Sequence, residues 1–213
     1  MEVRYIYPEK THQRTFIILH GMNQGISDIE YIVKNINKVH DDSLFIILIA
    51  NKMDINWPNG IEKNLSSWYN YYTRNDNLSI HDDINTDQFR HITDEVVKII
   101  NKEHFSNQKD IHLMGISQGG TIAINSSIKL KFKIKNVICI DTIFMNNYTK
   151  NRMNVSQNFC VLQSKYDSVY NIIFQDKCYN LLSEKGHNVV KTIRDNGHCE
   201  DLNYISRFII SCV

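Results

Sequence analysis

The feature that most constrains this chain is the hexapeptide Gly-Ile-Ser-Gln-Gly-Gly at residues 115–120. It contains the pattern Gly-x-Ser-x-Gly centred on Ser117, which is typical of a sharp turn between a strand and a helix. Such a turn strains the backbone of its central residue, so small residues are needed two positions to either side. The serine hydroxyl then stands at the carboxyl end of a sheet, beside helix N–H groups that favour negative charge. The alternative is a tight glycine turn with a bystander serine.

Length and composition indicate a single domain over residues 1–213, with a core of ordinary size. The formal net charge is +1 and both signs are spread along the chain, which argues against a nucleic-acid surface. Five cysteines, an odd number in apolar or helical settings, favour a reduced, cytoplasmic protein over a disulfide scaffold. Neither a signal-peptide pattern nor an apolar run of membrane-spanning length is present, so we expect no stable membrane insertion.

Apolar runs that alternate with helical periodicities predict the fold. Apolar runs predict strands at residues 15–19, 44–50, 110–114, 135–141, 158–162 and 189–193, with an edge strand at 3–7. Helical spacing predicts helices at 29–39 (capped by Ser27 or Asp28), 89–100, 121–130, 172–183 and 198–210. The alternation predicts an α/β fold, in which a mostly parallel central sheet has helices on both faces. Ligands of such sheets bind at the carboxyl ends of the strands.

The stretch from Asn51 to Asn85 is long, polar and aromatic, and we expect it to be a functional loop. Its aromatic side chains would either line an apolar slot for a ligand or hold the loop against the sheet. These side chains are Trp68, Tyr69, Tyr71 and Tyr72.

A serine hydroxyl needs a base to act as a nucleophile, and the base must lie at the same sheet edge. His198 follows the last predicted strand and meets this condition, with a surface helix cap as its alternative role. His187 and His12 precede their strands and belong to the opposite edge. The remaining candidates end helices or flank the long loop: His40, His81, His91 and His104.

The base in turn needs a carboxylate that holds its tautomer and stabilises the imidazolium. Asp167 follows the fifth strand, which gives the chain order Ser117, Asp167, His198. Asp141, at the end of the preceding strand, is the second candidate. Asp195 is so near His198 in sequence that shaping the turn is the better role for it.

An oxyanion at this serine would need two N–H donors. One is the backbone N–H of Gln118, the residue after the nucleophile, and the other is expected from the segment Leu19-His20-Gly21-Met22. Met22 N–H is the expected donor there, and Gly21 lets the backbone approach a substrate closely. We expect His20 to bond loop backbone.

Together, Leu19-His20-Gly21, residues 115–120, Ser67-Trp68, Asp167-Ser-Val and His198 resemble the acyl-protein thioesterase / phospholipase–carboxylesterase family of α/β-hydrolases. The resemblance extends over about residues 14–212. It implies a compact serine esterase with little or no lid domain and no cofactor. Members cleave carboxylic esters, and some cleave acyl thioesters of lipidated proteins or lysophospholipids. Trp68 matches a family position, which implies a place in the wall of the substrate site.

Two segments depart from the family pattern. The sequence Gln163-Ser-Lys-Tyr-Asp167 lacks the Gly and the first Asp that usually precede the acid, and the Pro that follows it is also missing. After His20-Gly21, Met22-Asn-Gln-Gly25 replaces the usual Leu-Gly-Asp. Two other functions stay open: a binding protein for a small apolar ligand, and a peptidase or lactonase on the same fold. No tight cluster of His, Cys and Asp along the sequence suggests a metal site.

Overall fold

The computed structural model describes residues 1–57, 60–71, 84–107, 109–146 and 155–213. The strands in this part are β1 (Glu2–Ile6), β2 (Arg14–Leu19), β3 (Ser43–Ile49), β4 (Lys52–Trp57), β5 (Gly60–Ser66), β6 (Asp110–Ile116), β7 (Asn136–Ile140), β8 (Asn158–Ser164) and β9 (Asn188–Arg194). The helices are α1 (Ile26–Asn37), α2 (Thr86–Asn107), α3 (Gln118–Ser127), α4 (Ile172–Glu184) and α5 (Leu202–Ser211).

A seven-stranded sheet in the order β1-β3-β2-β6-β7-β8-β9 forms the centre of the protein. All its strands are parallel except the edge strand β1, which is antiparallel to β3. The central parallel strands β2, β3, β6, β7 and β8 are covered on both faces, and this explains why their sequences are continuous apolar runs, whereas the edge strand β9 is largely exposed. The predicted α/β fold is confirmed.

The helices divide between the two faces of the sheet. Successive side chains of a strand point to opposite faces, so Phe16 and Ile18 of β2 pack with α1 and α5. Ile17 and Leu19 face the other way and belong to the apolar cluster that α2, α3 and α4 cover. None of the described helices is both long and apolar enough to span a bilayer.

The loops after the parallel strands all emerge at one edge of the sheet. Leu19, at the end of β2, pairs with Gly115 of β6, which in turn pairs with Cys139 of β7. The segments that follow β2, β6, β7, β8 and β9 therefore lie side by side. This arrangement positions the predicted residues Gly21, Met22, Ser117, Gln118, Asp167 and His198, while Trp68 follows the separate strand β5.

The segment predicted as one long loop from Asn51 to Asn85 contains a β-hairpin instead. β4 and β5 pair in antiparallel fashion and form a separate two-stranded sheet. The hairpin buries few apolar side chains, among them Ile55 and Leu65. The prediction of a loop was therefore wrong. The hairpin was missed because neither of its strands contains a continuous apolar run. Parts of this segment lie outside the described residues, with Pro58, Asn59, Tyr72 and His81.

The N-termini of two helices differ from the prediction in the residue that caps or opens the helix. α1 begins at Ile26 after an N-cap at Gly25, and Asp28, proposed as the cap, instead accepts a hydrogen bond from Gly25 N at 3.3 Å. α5 begins at Leu202, not at His198, because the side chain of Asp201 caps it by accepting from Tyr204 N at 3.0 Å. His198 consequently belongs to a loop, residues 195–201, rather than to a helix.

His112 of β6 is a buried titratable group far from this edge. Its ring stacks on Phe16 with centroids 4.9 Å apart, and 1% of the residue is exposed. Burial lowers the pKa of His112 to about 4. The folded protein therefore keeps this ring neutral at a pH where the unfolded chain binds a proton.

We expect His112 to make folding sensitive to acid. Its folded pKa lies below the ordinary value of about 6.5, so its stabilising effect is fully present above about pH 6.5 and is lost as the pH falls towards 4. Urea unfolding at pH 7 and at pH 5 measures this. Between those two pH values, the free energy of unfolding should fall by about 2 kcal/mol less in His112→Gln than in the wild type. Equal falls in both proteins would contradict the assignment.

Candidate active site

Ser117 lies in the turn between β6 and α3 with a left-handed backbone, φ 49° and ψ −120°. Few residues other than glycine adopt such a φ without strain, so the surroundings must hold it. The N–H of Ser117 donates to Ile140 O at 2.9 Å. Its carbonyl accepts from Gly120 N at 2.9 Å and from the Thr142 hydroxyl at 2.6 Å. These bonds fix the turn to the end of β7.

Each of the three glycines in the hexapeptide lies too close to a neighbour to carry a side chain. A Cβ on Gly115 would lie 2.5 Å from Gly119 O, and one on Gly119 would lie 2.6 Å from Leu19 O. The first contact is the close approach of β6 and α3 that the sequence pattern predicts, whereas the second is an approach of α3 to the end of β2. A Cβ on Gly120 would lie 2.5 Å from the methyl group of Thr142. The second glycine of the pair is therefore required by a residue at the end of β7.

The structure brings Ser117, His198 and Asp167 into one hydrogen-bonded chain. His198 Nε2 lies 2.8 Å from Ser117 Oγ, and His198 Nδ1 lies 2.8 Å from Asp167 Oδ2. The Asp167 carboxylate is fully buried, whereas 17% of the His198 side chain is exposed. Both distances are those of hydrogen bonds that can carry a proton.

Asp167 is held by further donors. Its Oδ1 accepts from the N–H groups of Val169 at 2.8 Å and Tyr170 at 2.7 Å. Its Oδ2 accepts from the Gln175 amide at 3.2 Å. Gln175, on α4, was not predicted, and no sequence motif marks it. These bonds orient the carboxylate towards His198.

Asp141, the second candidate for the acid, is engaged elsewhere. Its Oδ2 accepts from Arg194 Nη2 at 2.9 Å, Ser164 Oγ at 2.9 Å and Cys199 N at 2.8 Å. Within the described residues, its carboxylate makes no hydrogen bond to His198. The geometry therefore favours Asp167. Asp195, the third aspartate near the base, forms an exposed ion pair with Lys165 at 3.2 Å.

Three donor groups of a type that binds metals lie close together in the same place. One carboxylate oxygen of Asp141, one nitrogen of His198 and Sγ of Cys199 lie within 4.8 Å of one another. The His198 nitrogens bond Ser117 and Asp167, and burial raises the pKa of the Cys199 thiol. Oδ2 of Asp141 accepts three hydrogen bonds, whereas its buried Oδ1 has no hydrogen-bond partner among the described residues. To bind a metal here, His198 would have to give up its bond to Ser117 or to Asp167, and the buried Cys199 thiol would have to lose its proton.

The backbone beside Ser117 presents two N–H groups. No hydrogen bond joins the N–H of Met22 or of Gln118 to another described residue, and Gln118 is the first residue of α3. A Cβ on Gly21 would lie 3.2 Å from Ser117 Cβ, so the Gly21 backbone passes directly beside the nucleophile position. The Gln24 amide oxygen fixes this loop by accepting from Gly21 N at 2.6 Å. Sequence reasoning did not identify Gln24.

The His20 side chain stabilises the same loop through hydrogen bonds of both ring nitrogens to the backbone. Ala50 N donates to His20 Nε2 at 3.0 Å, so the ring proton lies on Nδ1 and is donated to Gly21 O at 2.6 Å. Burial lowers the pKa of His20, which keeps the ring neutral. This agrees with the structural role expected for it.

Trp68 lies under this loop and is 1% exposed. Its indole N–H donates to His20 O at 2.7 Å, and its backbone N–H donates to the side chain of Gln118 at 2.9 Å. Tyr69 and Tyr71 are also buried, and their hydroxyl groups bond each other at 3.1 Å. Of the two roles open to these aromatic residues, the geometry favours holding the segment against the sheet. A substrate contact by Trp68 stays a prediction.

The model of the phospholipase/carboxylesterase family matches residues 2–211. Among solved structures, acyl-protein thioesterase 2 of Zea mays is 13% identical with a TM-score of 0.74 (99% of this chain and 98% of that one). SOBER1 of Arabidopsis thaliana is 17% identical with a TM-score of 0.76 (93% and 99%). The Bacillus cereus carboxylesterase is 12% identical with a TM-score of 0.72 (100% and 95%). These likenesses show a shared fold. No curated protein matches by sequence.

We expect Gly115→Ala to disrupt the turn. The added Cβ would overlap the backbone of Gly119 and Gly120, which cannot move without displacing α3. The free energy of unfolding should fall by about 1–3 kcal/mol, the usual cost of overpacking, and activity should fall with it. Gly25→Ala is the matched control, because its Cβ meets only Ser27 Oγ at 3.3 Å. It should cost no more than about 1 kcal/mol. Equal melting temperatures of the two variants would contradict this account of the turn.

Proposed function

Because the chain belongs to the phospholipase/carboxylesterase family, we propose that it is a serine hydrolase that cleaves carboxylic esters or acyl thioesters. Ser117, His198 and Asp167 would form its catalytic triad, and Ser117 would carry the acyl group as a covalent intermediate. The observation that carries this proposal is the hydrogen-bonded chain from Ser117 Oγ through His198 to the buried Asp167, with 2.8 Å at each step.

In the first half-reaction, Ser117 Oγ attacks the carbonyl carbon of the substrate. His198 Nε2 accepts the hydroxyl proton as the new C–O bond forms. Asp167 stabilises the resulting imidazolium through Nδ1 and keeps the ring in the required tautomer. When the tetrahedral intermediate collapses, the bond to the leaving group breaks, and His198 donates the proton to the departing alcohol or thiol.

In the second half-reaction, water attacks the acyl-enzyme and His198 accepts its proton. The ester bond to Ser117 then breaks, Ser117 Oγ regains the proton, and the carboxylic acid leaves. In both halves the carbonyl oxygen becomes an oxyanion. The N–H groups of Met22 and Gln118 would bind it, and the N-terminus of α3 adds its favourable potential. Each such donor is typically worth about 10²–10³ in turnover.

Substrate would approach over the loop after β2. Gly21 would permit close approach there. Trp68 stays a proposed substrate-binding residue, and its indole N–H supports the same loop through its bond to His20 O. The expected partners are small-molecule esters or acylated substrates, with neither a cofactor nor nucleic acid. A reducing, cytoplasmic location is also proposed, and the free thiols of all five cysteines support it.

Hydrolysis of nitrophenyl esters from acetyl to palmitoyl tests the proposal. The purified wild type should turn over at least part of this series, and its best chain length measures the depth of the acyl site. Ser117→Ala should lower kcat by several orders of magnitude, because without the hydroxyl no acyl-enzyme forms. Thioesters with the same acyl chains, assayed beside the esters, show whether the enzyme prefers an oxygen or a sulfur leaving group.

Ser27→Ala is the matched control. Ser27 is an exposed serine in the first turn of α1, and its loss should leave kcat unchanged. Esterase activity retained in Ser117→Ala would refute the mechanism. A folded wild type that hydrolyses none of the esters or thioesters would refute the proposed function and favour a binding role for this fold.

A further inference from the structure

A buried ion pair next to the triad takes no part in the proton transfers described above. Arg194 Nη2 and Asp141 Oδ2 are 2.9 Å apart, and their side chains are 1% and 0% exposed. They come from the ends of two strands that are not neighbours, β9 and β7. Ser164, at the end of the intervening strand β8, donates to Asp141 at 2.9 Å and accepts from Arg194 Nε at 2.9 Å. The three side chains thus connect the carboxyl ends of three strands.

The same pair also bonds the backbone of the loop 195–201. Asp141 Oδ2 accepts from Cys199 N at 2.8 Å, directly after His198. Arg194 Nη1 donates to Glu200 O at 2.5 Å. One carboxylate oxygen and one guanidinium therefore bond the first and the third peptide units that follow the proposed base.

These bonds stabilise a stretch of backbone in the loop 195–201 that has unfavourable conformations. Cys199 and Asp201 both have left-handed conformations, with φ of 54° and 57°, and Asp141 itself has a φ of 42°. Conformations of this kind cost free energy in residues other than glycine and persist where surrounding contacts enforce them. The loop has no apolar anchor of comparable burial, because Cys199 is only partly buried and Asp201 is exposed.

We propose that Asp141 and Arg194 are positioning residues, which hold the His198 loop so that His198 Nε2 lies within hydrogen-bond distance of Ser117 Oγ. This inference rests on the proposed function of the triad. It gives Asp141 a role other than the triad acid, because its charge is matched by Arg194 and its oxygen is aimed at the loop backbone. A displacement of about 1 Å in a catalytic group can cost about 10²-fold in rate. A more mobile loop should therefore lower kcat strongly, whereas KM, which reflects substrate binding, should change far less.

Arg194→Lys is the first test. Lysine keeps a positive charge beside Asp141, so no carboxylate is left buried alone, but an ammonium cannot span Asp141, Ser164 and Glu200 O as the guanidinium fork does. We expect kcat per folded molecule to fall about 10–100-fold with KM changed less than threefold. Hydrogen exchange at the Cys199 amide, followed by mass spectrometry, should become faster, while exchange in β6 stays the same.

A second variant keeps the test decisive if Arg194→Lys folds poorly. Asp141→Asn combined with Arg194→Gln removes both charges at once, which avoids an unpaired buried charge. It should show the same fall in kcat and the same faster exchange at Cys199. Asp195→Asn is the matched control: it breaks an exposed ion pair from the same loop to Lys165, and kcat and Cys199 exchange should match the wild type.

The outcomes separate the two proposals. Folded Arg194→Lys and double variants with wild-type kcat and wild-type exchange at Cys199 would overturn the positioning role. A lower melting temperature with unchanged kcat per folded molecule would overturn it too, since the pair would then be merely stabilising. If the wild type hydrolyses no ester, the proposed function fails. The exchange measurement still decides whether the pair holds the loop, because it needs no turnover.

Discussion

The strained turn at Ser117 is the constraint on which the rest of the site depends. Close backbone contacts enforce its φ of 49°: a Cβ on Gly115 would overlap the backbone of α3, and a Cβ on Gly119 would overlap the backbone that ends β2. The turn is further fixed to β7 through Ile140 and Thr142. With the hydroxyl fixed in this way, the parallel order of the strands brings the proposed base, the proposed acid and the two N–H groups to it.

Each of these groups follows a different strand, so its position depends on how its loop is anchored. Asp167 is oriented by backbone N–H groups of its own turn and by Gln175. The loop after β2 is anchored by His20 and Gln24. The His198 loop has a local bond from Gly197 N to the exposed Glu200 carboxylate at 2.9 Å, and its buried anchor is the pair of Asp141 and Arg194. The site is therefore a set of loops that hydrogen bonds to polar side chains hold around a rigid serine.

Much of this could be predicted from the sequence, and the failures have physical causes. The strands of the main sheet were predictable because burial on both faces requires apolar runs. The hairpin β4–β5 was missed because it is held by backbone pairing and buries little beyond Ile55 and Leu65. The chain order of Ser117, Asp167 and His198 together with the strand order predicted which groups meet at one edge, and the geometry agrees. Gln175 and Arg194 could not be found, because each is defined by contacts across elements that no spacing encodes. Gln24 was missed although its bond to Gly21 N is local, because no sequence motif marks it.

The most direct test of the central claim, that Ser117 is activated by His198, is covalent labelling with a fluorophosphonate probe, with the modified residue located by peptide mass spectrometry. The account predicts a single adduct on Ser117 in the wild type. The labelling rate should fall by at least about 10²-fold in His198→Gln, because an unactivated hydroxyl is a poor nucleophile, while Asp195→Asn should label as fast as the wild type. An adduct on another residue, or equal rates in the wild type and His198→Gln, would contradict it.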